Sequence, residues 1–69
     1  MMLAVRKRQP VSERQGLLLA LRDTRLELGR AHSGFNYARD SDLISAYIFE
    51  IKALQARYSY LLKQIKALE

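Results

Sequence analysis

An all-α fold, an antiparallel two-helix hairpin, follows from three features of this 69-residue sequence. Apolar residues recur at alternating three- and four-residue steps through two long segments, turn-forming residues cluster between them, and only one Pro is present in the chain. The first helix is expected over about residues 12–33 and the second over about 41–68. Residues 1–11 then form a flexible basic tail ahead of a single helical domain, 12–69. With 49% hydrophobic and 28% charged residues the chain is too apolar for intrinsic disorder, and without Cys it has no disulfide framework. No stretch of about 18 uncharged apolar residues offers a bilayer span. A cytoplasmic domain is the class that remains.

The first helix has a legible start. Ser12 suits the N-cap, Gln15 stands three residues later where a capping box needs it, and Pro10 discourages helix upstream. Leu17, Leu21, Thr24, Leu28, Ala31 and Phe35 then form one stripe. Glu13, Asp23 and Glu27 lie along one flank of it, and Arg14, Arg22 and Arg25 along the other. Leu19 and Leu26, one heptad apart, lie on the opposite side of the helix.

Ser33, Gly34 and Asn36 interrupt the period and predict a turn, with Gly34 as the left-handed residue closing the first helix. Phe35 and Tyr37 would then plug the end of the bundle. Asp40 or Ser41 is expected to cap the second helix, with Asp42 in its first turn, where the helix dipole favours a carboxylate.

The second helix carries the strongest pattern. Ile44, Tyr47, Ile51, Leu54, Tyr58, Leu61, Ile65 and Leu68 keep the three–four spacing throughout, as an a/d seam does. Ala46, Phe49, Ala53, Ala56, Tyr60 and Ala67 repeat that spacing on another side. One partner helix cannot cover both stripes. The expected hairpin core is therefore Leu17, Leu21, Leu28 and Phe35 against Ile44, Ile51, Leu54, Tyr58, Leu61 and Ile65. The surplus surface, Leu19 and Leu26 with Ala46, Phe49, Ala53, Ala56 and Tyr60, predicts a homodimer or higher oligomer, two hairpins making a four-helix bundle. A chain below about 70–80 residues has a core worth only about 3–5 kcal/mol, which also favours association.

From Asp40 to Lys66 the sequence resembles the YaaL-like family of short bacterial proteins of unknown function. The resemblance rests on Asp40, Asp42, Leu43 and Ile44, on Ile48, Glu50 and Ala53, and on Arg57, Tyr58, Leu61, Leu62 and Lys63. Upstream, Ala31, Phe35 and Asn36 resemble a further family segment. The chain departs from the family in lacking a Trp in the first helix and in having Ile51 where Leu is commoner. The resemblance implies a cytoplasmic bacterial helical protein with no assigned reaction. Glu50 and Arg57, seven residues apart beside the seam, are expected to form inter-helix ion pairs, with Glu27, Arg25 or a second copy as partner.

Catalysis is not expected. His32 is the sole histidine, there is no thiol, and most of the carboxylates stand at helical spacing from a Lys or Arg. His32 lacks a second ligand for a metal, Asp40 with Asp42 lacks the other oxygens of a calcium loop, and Gly16, Gly29 and Gly34 are too isolated to cradle a phosphate. No cofactor is implied. The formal charge of +5 permits an acidic partner, and residues 1–33 hold seven basic and three acidic side chains, hence most of that excess. Two functions compete: a structural or adaptor module binding itself and another protein, and a weak, sequence-independent nucleic-acid accessory factor. The second would use Arg6, Lys7, Arg8, Arg14, Arg22 and Arg25 on phosphates. A secretory signal is not expected, because the apolar residues at the N-terminus precede the basic ones, and a membrane-surface anchor is not expected, because each basic residue adds only about 1 kcal/mol near anionic lipid.

Overall fold

A computed structural model describes residues 12–69 of the chain. Two helices, α1 over Glu13–Tyr37 and α2 over Ser41–Ala67, are joined by a three-residue connection, 38–40. So short a link returns the chain antiparallel to itself. The two helices, about 37 and 40 Å long at 1.5 Å per residue, lie side by side. Their register is visible in three contacts. Leu21 packs with Leu61 and Ile65 at the open end, Glu27 meets Arg57 midway, and Gly34 lies against Tyr47 near the turn.

Both helix starts are capped as their residue types dictate. The Gln15 amide donates to Ser12 Oγ at 3.0 Å, and the Leu43 amide donates to Asp40 Oδ2 at 3.1 Å. Asp40, rather than Ser41, is the N-cap of α2, and Asp42 stands in its first turn. Each cap satisfies a donor that the helix cannot satisfy internally.

The core follows the stripes. Leu21 and Ala31 of α1 and Leu54, Leu61 and Ile65 of α2 are buried, with Leu17, Leu28, Ile44, Tyr47, Ile51 and Tyr58 half-buried around them. Thr24 is the one polar residue buried among the described residues, at 3% exposure, and its hydroxyl donates to the Ala20 carbonyl at 2.8 Å. That bond within the helix removes the penalty of an unpaired hydroxyl in the seam.

Two expectations change at the turn. α1 does not stop near residue 33; it continues to Tyr37, where Ala38 turns extended (φ −71°, ψ 139°) and its amide donates to the Phe35 carbonyl at 3.3 Å. Gly34 is therefore helical and closes nothing. Its value lies in having no side chain, because a Cβ there would come within 2.6 Å of Tyr47 Cε1. The Tyr47 ring fills that place and brings the two backbones close. The aromatic plug is formed only in part: Phe35 is 37% exposed, whereas Tyr37 is 82% exposed. With the helix extended, Phe35 continues the α1 stripe near the turn and Tyr37 lies on the outer side of α1. At the other end Leu68 is the exposed C-cap of α2, since the seam has run past Leu17 and no described residue of α1 covers it.

The two mid-helix glycines should respond oppositely to substitution. Gly29 has open space around its Cα, so Gly29→Ala is expected to stabilise the fold by about 0.5–1 kcal/mol. Gly34→Val should destabilise it by about 1–3 kcal/mol through overpacking, and far less in a Tyr47→Ala background. Urea titrations of the four variants measure both terms. Asp40→Ala, by removing the α2 cap, should cost about 1 kcal/mol in the same assay.

Candidate interaction surface

Among the described residues the hairpin encloses no cavity, and no three His, Cys, Asp or Glu side chains gather as a metal site would require. What the fold offers is surface. The stripe of Ala46, Phe49, Ala53, Ala56 and Tyr60 is exposed along the side of α2 turned away from α1, with Phe49 71% and Tyr60 58% exposed. Ala53 and Ala56 between the two rings, with Ala46 before them, leave a shallow track into which another backbone fits closely. Leu19 and Leu26 are also exposed, on the side of α1 turned away from α2. The two patches therefore occupy opposite outer edges of the hairpin and do not join. One two-fold contact cannot cover both.

The charged flanks are sorted by the chain reversal. When helices pack antiparallel, flanks that lie in the same rotational sense from the seam meet on one broad face. The acidic flank of α1 thus faces the same way as Glu50 and Arg57 of α2. The ion pair between Arg57 Nη1 and Glu27 Oε1, at 3.7 Å, marks that face. Both groups are largely solvated, and a pair of this kind contributes at most about 1 kcal/mol. It reports the register that the apolar seam sets. Arg25, the other expected partner on α1, lies on the opposite flank.

That opposite face collects cations from both helices. Arg14 and Arg25 of α1 stand on it together with Lys52 and Lys66 of α2, and Lys63 lies at its outer edge. None of these five has a carboxylate within ion-pair distance among the described residues. Arg22 is at the edge of α1 and is bound by its neighbour Asp23, Nη2 to Oδ1 at 3.2 Å, so it contributes less charge than its position suggests. The lysines of α2 were not singled out by sequence reasoning. Their signal was the absence of any carboxylate on their side of the α2 helix before the terminal Glu69. Arg6, Lys7 and Arg8 lie outside the described residues.

No described helix is long and apolar enough to cross a membrane. Comparison with curated proteins and with solved structures returns no significant match. A family model described as "Protein of unknown function (DUF2508)" matches residues 1–69, the whole sequence. A helical hairpin whose capped second helix carries the quoted Asp40–Lys66 pattern, matched end to end by that model, belongs to this family, for which YaaL-like is another name.

Proposed function

We propose that this chain is a non-catalytic interaction module that pairs with a second copy of itself through the outer stripe of α2. The exposed Phe49 and Tyr60 within a heptad-spaced row of alanines carry this reading. A fully buried side chain of Phe size contributes about 1.5–3 kcal/mol, so the two rings are the largest apolar surfaces left uncovered on α2. The core points the same way. Only five hydrophobic residues are buried among the described ones, and none of the large ones is completely shielded. A 69-residue chain with so thin a seam gains most by borrowing core from a neighbour.

The occupant is a second copy, because the stripe is self-complementary. Rotating one α2 onto another sets Phe49 and Tyr60 of each chain over the alanines of the other, which is the isologous arrangement of a two-fold pair. The four helices then lie in the order α1, α2, α2 and α1, a form of the four-helix assembly in which Leu19 and Leu26 remain on the outer edges. Docking of another protein onto those edges would give the adaptor role its surface.

Light scattering at tens of micromolar should give a mass well above the 8.0 kDa of one chain. Tyr60→Glu should weaken the pair at least about tenfold, the effect of losing roughly 1.4 kcal/mol, and return the 8.0 kDa species. Leu26→Ser, on the other edge, should leave the mass unchanged. An unmodified chain that stays at 8.0 kDa would refute self-association.

A further inference from the structure

We propose that the broad basic face of the hairpin, Arg14 and Arg25 on α1 with Lys52, Lys63 and Lys66 on α2, is a docking surface for the phosphate backbone of a double-stranded nucleic acid. It does not rest on self-association, since Arg14, Arg25 and Lys66 lie on a flank that an α2-to-α2 contact leaves open, with Lys63 at the border of that contact. The five groups are exposed, and none is held by a carboxylate among the described residues. They form two rows, on helices whose axes pack about 8–10 Å apart. The rows run about 16 Å from Arg14 to Arg25 and about 21 Å from Lys52 to Lys66, at 1.5 Å per residue. Long side chains splayed from two such rows span a distance comparable with the roughly 12 Å major groove, whose edges are lines of phosphates. Gln55 and Ser59, exposed on the same side of α2, add uncharged hydrogen-bonding groups of the kind that phosphates accept from.

The composition of the face selects among anionic partners. Single strands are held by aromatic platforms, and none of the chain's aromatic residues lies on this face; the most exposed of them, Tyr37, Phe49 and Tyr60, project from other sides. A membrane surface calls for protruding apolar groups between the cations. Leu18, Ile48 and Leu62 stand on this face among the cations, each about two-fifths exposed, so vesicle binding is the competing outcome that the test separates from duplex binding. A backbone-tracking contact with a duplex needs neither feature. The open end of the hairpin, where Arg14, Lys63 and Lys66 gather, is also where residues 1–11 join at Ser12. That segment carries Arg6, Lys7 and Arg8 and no acidic residue.

Fluorescence anisotropy with the full chain and a short labelled mixed-sequence DNA duplex tests the proposal. About five phosphate contacts imply an affinity that falls roughly 500-fold between about 50 and 200 mM salt, with little change between unrelated sequences. Arg25→Glu with Lys66→Glu should weaken binding more than about tenfold and lower the salt slope by about two. Arg25→Lys with Lys66→Arg, which keeps the charge, should bind as before. Arg30→Glu with Arg39→Glu makes the same change in net charge off this face and should cost less than about threefold, with far-UV circular dichroism showing that all variants remain helical. Equal losses in the on-face and off-face pairs, binding abolished by Arg6→Ala, Lys7→Ala and Arg8→Ala but unmoved by the on-face pair, or capture by phosphatidylserine vesicles with none by duplex would each overturn it.

Discussion

The antiparallel seam between α1 and α2 is the interaction on which every other property of this hairpin depends. It is made of one stripe on α1 and one of two stripes on α2, so its formation leaves α2 with an unsatisfied apolar side. The same contact sets the rotational phase of both helices. Once Leu21 lies between Leu61 and Ile65, and Gly34 against Tyr47, the direction of every other residue follows from helical geometry. The exposed alanine track, the acidic face with its Arg57–Glu27 pair and the basic face opposite are consequences of that phase.

The seam is thin, and the details near its ends show how it is held. Caps at Ser12 and Asp40 satisfy the first amides of each helix, and Thr24 bonds within its own helix rather than across the seam. None of these interactions is individually large. The close approach at Gly34 is different in kind, because it is a steric allowance: the ring of Tyr47 occupies the volume that any other residue at 34 would need. A short seam gains packing density where backbones draw together, which is why a glycine is useful in mid-helix despite its entropic cost.

Much of this is legible in the sequence. The helices, the start of each and the caps come from local chemistry and from a repeat visible in the sequence, and so does the seam apart from Phe35 and Leu68, which are exposed. The end of α1 was not legible. Ser33, Gly34 and Asn36 are turn formers by intrinsic preference, yet all three are helical, with Gly34 packed against Tyr47. With the helix running on to Tyr37, Tyr37 is turned to the outside and Phe35 covers the end of the seam only in part. The interaction surface was half legible: the alanine stripe is visible in α2 alone, whereas the placement of Leu19 and Leu26 on the opposite edge needs both helices.

What the sequence by itself determined is each helix and its faces, because a period of 3.6 residues acts within one segment and needs no partner. What only the tertiary structure decided is which flank of α1 shares a face with which flank of α2. Antiparallel packing joins flanks of the same rotational sense, so the arginines of α1 and the lysines of α2 come to one side. A parallel pair would have set those arginines beside Glu50 and the alanine stripe. The charges are written in the chain; the direction of the turn gathers them.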